Sequence, residues 1–254
     1  MDSKKSPLVE VKNVTAGYED TVILKDINFA VQRGEVFAIL GGSGCGKSTL
    51  LKHMIGLYPP MAGSILIDGE DIVDADEKGK LRILRKFGVA YQSGALFGSM
   101  TLAENITLTM EEFTRLPPPA RNLIAWMKLS LVGLEKYTQS LPAELSGGMQ
   151  KRAAIARAMA LDPAVLFLDE PSAGLDPITS ASLDELILQL NKNFGVTFVI
   201  VTHELSSVFA VADRVIMLDK EVQGIRAEGT PKELKANTSD PFIRAFFHRE
   251  PISS

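Results

Sequence analysis

The densest chemical signal in the sequence is a short glycine-rich run. Gly41-Gly42-Ser43-Gly44-Cys45-Gly46-Lys47-Ser48-Thr49 fits the pattern G-x-x-x-x-G-K-[ST]. Glycines let backbone N–H groups turn inward around phosphate oxygens, where a Cβ would intrude. Lys47 adds a mobile positive charge for terminal phosphates, and Ser48 a hydroxyl for Mg²⁺. An apolar strand, Glu35–Leu40, stands before the loop, and a helical stretch, Ser48–Ile55, follows it. The positive end of that helix reinforces anion binding at the same place. The bland alternative is a glycine turn that binds nothing, and the complete motif in this context speaks against it.

Two further apolar runs end in groups suited to the same chemistry. Ala164–Leu168 leads into Asp169-Glu170. A carboxylate at a strand end suits Mg²⁺, which keeps much of its water shell. Glu170, one residue on, is placed to polarise an attacking water. Val196–Val201 leads through Thr202 to His203. A lone histidine is usually structural, but ligands of open α/β sheets gather at the carboxyl ends of strands. Gly41, Asp169 and His203 are all expected at that edge, so His203 reads as a γ-phosphate sensor and water-orienting group. A second glycine turn, Leu145-Ser146-Gly147-Gly148-Met149-Gln150, precedes a helical run, Gln150–Leu161. Ser146 is a good N-cap, and the two glycines expose amides at the helix's positive end. One nucleotide has one γ-phosphate, so a second anion-seeking turn reads as serving a nucleotide held by another copy of the chain.

Positioning these groups takes a parallel sheet. The runs around residues 36–40, 165–168, 197–201 and 214–218 are almost continuously apolar, as strands covered on both faces are, and the last three read as βα units. Leu8–Val14, Val22–Val31 and Ser64–Ile67 read as short strands bounded by turn residues. Residues 93–145 are helical in pattern, broken by Leu116-Pro117-Pro118-Pro119, and read as an inserted subdomain. Thr230-Pro231-Lys232-Glu233 is a capping box with proline at N1. Ser239-Asp240-Pro241 starts another helix, whose Phe242, Ile243, Phe246 and Phe247 share a face. That face could pack on its own domain or on a neighbouring subunit.

Composition sets outer limits. The 254 residues are 46% hydrophobic and 23% charged, with a net charge of −4. Nucleic-acid binding usually leaves a basic footprint that this balance lacks. The single cysteine, Cys45, forms no intrachain disulfide and fits a reducing compartment. It reads as a small residue filling the loop, or as a thiol activated by the helix end. No leader segment and no membrane-spanning run of roughly 18 apolar residues is expected.

Taken in order, these residues resemble the ABC ATPase family over essentially all of residues 8–230. Tyr18 stands where the family stacks an aromatic on adenine. Gly41–Ser48 matches its Walker A motif, and Gln92 the Q-loop glutamine that links Mg²⁺ to the helical subdomain. Leu145–Gln150 matches the LSGGQ-type signature, with Met149 in place of the usual glutamine. Asp169-Glu170 matches Walker B and its glutamate, Ser172-Ala173-Gly174-Leu175-Asp176 the D-loop, and His203 the switch histidine. The resemblance implies a P-loop NTPase core with a parallel sheet flanked by helices, an N-terminal antiparallel β subdomain and an inserted helical subdomain. On it the chain is one ATPase domain, with its nucleotide core at 8–92 and 146–230, helical subdomain at 93–145 and helical tail at 231–254. It also implies ATP and Mg²⁺ as ligands, with Ser48, Gln92 and Asp169 around the metal. Glu170, His203, Lys47 and Gln92 carry hydrolysis; Tyr18, residues 41–49, Ser146, Gly147, Gly148 and Asp176 bind nucleotide. By the same resemblance, two copies are expected to pair head to tail beneath polytopic permease subunits, on the cytoplasmic face of the inner membrane.

A narrower resemblance follows Gln92. Gln92-Ser93-Gly94-Ala95-Leu96-Phe97 and Met100-Thr101-Leu102-Ala103-Glu104-Asn105 look like the ATPases that work with MCE-domain proteins in Mla-type phospholipid transport. The alternatives are an importer of amino acids or other small solutes, or a soluble ABC ATPase acting on DNA or ribosomes. The latter usually carry coiled coils, zinc modules or a second cassette, none of which this sequence contains.

Overall fold

In a computed structural model, residues 6–236 and 239–248 are described. The first five residues, residues 237–238 and residues 249–254 lie outside them; the expectation about a leader segment falls partly on these, as does the end of the tail. The chain begins with the hairpin β1 (Val9–Tyr18) and β2 (Thr21–Val31), enters β3 (Val36–Gly41) and helix α1 (Lys47–Met54), and returns through β4 (Ala62–Ile67) and β5 (Glu70–Asp71). Helix α2 (Glu77–Leu84) leads to β6 (Phe87–Ala90), followed by α3 (Leu102–Phe113), α4 (Pro118–Leu131), two 3₁₀ turns and α5 (Gly147–Ala158). Then come β7 (Val165–Asp169), α6 (Pro177–Phe194), β8 (Thr197–Val201), α7 (Leu205–Val211), β9 (Arg214–Asp219) and β10 (Gly224–Gly229). Helices α8 (Pro231–Ala236) and α9 (Pro241–His248) are the last elements among the described residues.

Two sheets result. One is antiparallel in the order β2-β1-β4-β5; the other has the order β10-β9-β3-β8-β7-β6 and is parallel from β9 to β6. Strand β3 shows why both faces must be apolar. Phe37 and Ile39 join the cluster built with Val9, Leu24 and Leu50 from the antiparallel sheet and α1. Ala38 and Leu40 point the other way, into Leu205, Val208 and the tail residues Ile243 and Phe247. Alternate side chains of one strand thus feed two different cores, as the two-residue period requires. Pairing of Gly41 with Leu218 and of Asp169 with Val201 brings the strand ends to one carboxyl edge, as the sequence suggests.

Between β6 and β7 a helical layer packs on Ala153, Ala154, Ile155 and Ala156 of α5, through Leu102, Ile106 and Met110 of α3 and Ala125 and Leu129 of α4. Helix α5 begins at Gly147 rather than at Gln150, because the two glycines are already helical behind the Ser146 cap. The expected third βα unit is a correction: after β9 the chain turns into antiparallel β10. Asp219 makes that turn, its carboxylate accepting from the amides of Glu221 (2.6 Å) and Val222 (3.3 Å). The alternatives for the tail are also separated. Helix α9, capped by the Asp240 carboxylate on the Phe242 amide (2.9 Å), buries Ile243 and Phe247 on its own domain. Arg226 of β10 secures it, pairing with Asp219 (2.7 Å) and Asp240 (2.8 Å) and lying 4.8 Å above the Phe242 ring.

Candidate active site

The carboxyl edge opens into a cleft of about 620 Å³ lined by Gly42, Ser43, Gly44, Lys47, Ser48, Gln92, Glu170 and His203. Residues assigned separately along the sequence therefore meet in one space. Leu205 and Phe246 complete its wall, which sequence reasoning missed, because nothing in the pattern of α9 says that its half-buried aromatic reaches this cleft. A more apolar groove of about 520 Å³, between α4 and the end of α6, contains none of the assigned residues.

The loop's shape depends on its glycines. Gly46, immediately before α1, has φ of +101° and lies against the Leu24 and Ile23 side chains, so a Cβ there would be both strained and crowded. The ammonium of Lys47 is buried and donates to the carbonyls of Gly41 (2.8 Å) and Gly42 (3.0 Å), which hold it over the loop. Cys45 and Thr49 face inward and are buried, whereas Ser43, Gly44 and Ser48 are open to solvent. The Cys45 thiol packs in the core, and burial pushes its pKa up although Lys47 pulls it partly back. The activated-thiol reading therefore has no support in the fold.

Glu170 is the most constrained residue of the edge. Its φ is +47°, a left-handed conformation that costs a non-glycine residue about 1–3 kcal/mol. The surroundings hold it there. Its amide donates to the Val201 carbonyl (2.8 Å), Thr202 Oγ1 donates to Oε2 (3.1 Å), and Oε1 lies 2.8 Å from Nδ1 of His203. His203 is solvent-exposed while Glu170 is buried, so the histidine presents its outer edge to the cleft. Thr202 was not singled out in the sequence, though its place between an apolar strand and His203 was a usable signal.

The metal assignment can be tested on one atom. Asp169 Oδ1 is buried and has no hydrogen-bond partner among the described residues. Such an orphan is rare and calls for a ligand. Asp169 does not itself line the cleft that Ser48 and Gln92 line, but its carboxylate, the Ser48 hydroxyl and the Gln92 side-chain amide oxygen are all hard oxygen donors, the kind Mg²⁺ prefers. Burial, and next the adjacent Glu170 charge, push the Asp169 pKa up, while Lys47, Lys52 and Lys151 oppose this. A divalent cation would relieve both effects.

Not every assigned residue lines the cleft. The Tyr18 ring is half-buried, edge-on to Tyr58 at 5.3 Å and beneath the Lys52 ammonium at 5.8 Å. Asp176 uses its carboxylate as the N-cap of α6, accepting from the amides of Ile178 and Thr179 (both 3.0 Å) and from the Thr179 hydroxyl. Ser146 caps α5 through the Met149 amide (3.3 Å). Gly148 lies so close to Thr179 that an added Cβ would come within 2.4 Å of its methyl. The second glycine turn is thus packed against the start of α6, and neither it nor Asp176 lines the cleft.

The segment after Gln92 is a built structure. Buried Asn105 accepts from the Phe97 amide (2.7 Å) and donates to the carbonyls of Phe97 (3.1 Å), Met100 (3.1 Å) and Thr101 (3.0 Å). Thr101 and Glu104 close a capping box at the start of α3. Arg157 of α5 donates to the Ala95 carbonyl (3.1 Å) and lies 5.4 Å from the Phe97 ring centre.

Comparison with known proteins agrees with this geometry. Residues 24–173 match the family described as ABC transporter. The chain belongs to the ABC transporter ATPases. This ABC ATPase is 40% identical over 244 residues to the probable ribonucleotide transport ATP-binding protein mkl of Mycobacterium leprae, covering 96% of this chain and 70% of that one. It is 39% identical over 247 residues to the intermembrane phospholipid transport system ATP-binding protein MlaF of Escherichia coli K12, covering 97% and 90%. Among solved structures it resembles a dimeric ATP-binding cassette in a post-hydrolysis state bound to ADP and Pi, with TM-score 0.78, 32% identity and coverage of 88% and 98%. A Clostridium perfringens cassette, part of the ABC transporter complex cbiONQ, gives TM-score 0.83 at 31% identity, covering 95% of each chain. The ABC ATPase therefore binds and hydrolyses ATP as the energy-converting subunit of a transporter.

Proposed function

We propose that this ATPase drives phospholipid transport in a bacterial envelope, paired head to tail with a second copy and seated beneath polytopic permease subunits that work with an MCE-domain protein. The observation that carries the reading is the similarity to MlaF over nearly the whole of both chains. The built turn from Gln92 to Asn105 supports it, since these are the residues that resemble MCE-associated ATPases. The mkl relative, equally similar and named for ribonucleotide transport, supports a second reading with a different cargo. We place its attachment at the cytoplasmic face of the inner membrane, through the permease; among the described residues no helix is long and apolar enough to cross a membrane.

In the proposed cycle, residues 41–49 wrap the phosphates and Lys47 leaves its carbonyl partners to meet the terminal ones. Ser48, Gln92 and Asp169 would hold Mg²⁺, which would supply neutralisation of developing phosphate charge. Glu170 accepts the proton of the attacking water and His203 orients that water toward the γ-phosphate. Tyr18 stacks on the base. Ser146, Gly147, Gly148 and Asp176 act on the nucleotide of the other copy, which is why they stand apart from the chain's own cleft. We assign 8–92 and 146–230 to the nucleotide core, 93–145 to the helical subdomain and 231–254 to the tail. Co-purification of the tagged chain from native membranes tests the reading. A polytopic permease, an MCE-domain protein and bound phospholipid are expected. A permease with a solute-binding protein, or with a nucleotide cargo, would move the assignment to a small polar substrate.

A further inference from the structure

Lys151 was not marked by any motif, yet its side chain reaches the most constrained part of the site. From the first turns of α5 its Nζ donates to the backbone carbonyl of Gln92 and, at 3.3 Å, to that of Glu170. The side chain is half-buried. The other polar groups of Glu170 are held from β8 and the residues that follow it: the amide by Val201, the carboxylate by Thr202 and His203. Its carbonyl accepts from the Ala173 amide within the following turn (3.2 Å) and, from the helical side, from Lys151. The two carbonyls bridged by Lys151 belong to the residue proposed to activate water and to the residue proposed to reach the metal. The same helix begins at the second glycine turn, four residues upstream of Lys151.

We infer that Lys151 is a positioning residue for ATP hydrolysis: its ammonium ties the peptide carbonyls of Glu170 and Gln92 together, fixing both side chains relative to one another and to the helix that starts at Gly147. It does not line the nucleotide cleft, so it acts on turnover and not on nucleotide affinity. Without this donor the Glu170 carbonyl keeps only the Ala173 amide (3.2 Å) and loses its tie to the Gln92 carbonyl, and a carboxylate displaced by about 1 Å loses roughly 100-fold in rate. The inference rests on the roles proposed above for Glu170 and Gln92.

The test compares the full chain with Lys151→Met, Lys151→Arg and Lys151→Gln, measuring phosphate release against ATP concentration, nucleotide affinity and melting temperature. Lys151→Met removes the donor at nearly constant volume. It is expected to lower kcat by roughly 10- to 100-fold, the effect of one charged hydrogen bond, with KM and nucleotide affinity within about threefold of the parent. Lys151→Arg, which keeps the charge and its donors, recovers at least part of the loss, and Lys151→Gln, with a neutral donor, falls between arginine and methionine. Parent-level kcat in Lys151→Met, a matching loss of nucleotide affinity, or an arginine variant no better than methionine overturns the inference. If Lys151→Met does not fold, the ranking of arginine above glutamine decides it. Glu170→Gln is assayed in parallel: if that variant keeps turning over, the site reading itself has failed, whereas a dead Glu170→Gln beside an unaffected Lys151→Met removes only the role of Lys151.

Discussion

Replacing Glu170 with glutamine separates chemistry from architecture in a way the geometry makes quantitative. The carboxylate accepts from Thr202 at 3.1 Å and contacts His203 at 2.8 Å. An amide of the same shape keeps an oxygen for one partner and turns an NH₂ toward the other. Thr202 can rotate its hydroxyl to accept, so the lost contact costs about 1 kcal/mol. Against that, the variant removes a negative charge adjacent to Asp169, whose pKa is raised by burial and then by the Glu170 charge. The two effects oppose one another, and the melting temperature should stay within about 2–4 °C of the parent. Turnover should not survive. An amide cannot accept the proton of the attacking water, and general-base catalysis contributes roughly 100- to 10,000-fold, or about 3–5 kcal/mol at 1.36 kcal/mol per decade. Phosphate release at saturating ATP, nucleotide binding and thermal melting, run side by side, give the answer. Hydrolysis at the parent rate would falsify the assignment of Glu170 as base. A fall of more than about 10 °C in melting temperature would instead refute the hydrogen-bond reasoning.

Three other perturbations probe the frame around the site. Arg226→Ala leaves the Asp219 carboxylate, 1% exposed, without its cation. A loss of about 3 kcal/mol is expected, the low end for a broken buried pair because Arg226 itself reaches solvent, and it reads out as roughly 6–12 °C in melting temperature with faster proteolysis at α9. Unchanged melting would mean that the tail is not held through Arg226. Asp184 sits in α6 with its pKa pushed up by burial, against a hydrogen bond from Ser207. A carboxyl whose folded pKa lies above its unfolded one weakens the fold at pH above the folded pKa, and that penalty fades as pH falls through it. Asp184→Asn should therefore melt higher than the parent in mildly alkaline buffer, with the gain shrinking as pH falls toward the ordinary carboxylate range; a gain that grows on acidification contradicts the burial effect. Gly148→Ala drives a Cβ into the methyl of Thr179 and should lower ATPase activity by shifting the glycine turn. Adding Thr179→Ser removes that methyl but keeps the hydroxyl that bonds Asp176, so activity should return; no recovery in the double variant means the crowding is not the cause.

The strand ends were legible because each apolar run stops at a polar group that a sheet core would not tolerate. Gly41, Asp169 and His203 are separated in sequence by many residues, yet one rule about parallel sheets places them together, and the pairing of Asp169 with Val201 agrees. The glycine motif was legible for the same kind of reason, since backbone freedom is written directly in residue type. What stayed hidden depends on distances across the fold. Nothing local says that Glu170 is left-handed or that Lys151 spans two carbonyls, because both follow from where α5 lies over the sheet. Asp176 was read by its motif, although its position before Pro177 and Thr179 also marks a helix cap, which is where its carboxylate is engaged. Strand β10 was missed because only its edge pairing with β9 makes Gly224–Gly229 a strand.

The turn between Gln92 and Asn105 also bears on how such cassettes diversify. Its contour is maintained from outside its visible tip: one amide at Asn105 gathers the carbonyls of Phe97, Met100 and Thr101, and one guanidinium at Arg157 holds Ala95 from another helix. Transplanting residues 93–101 alone into a foreign cassette would carry the letters without the shape. The structural module is discontinuous, a surface loop together with Asn105 at the start of α3 and the distant Arg157 of α5, so the loop's residues keep this contour only where both anchors are present.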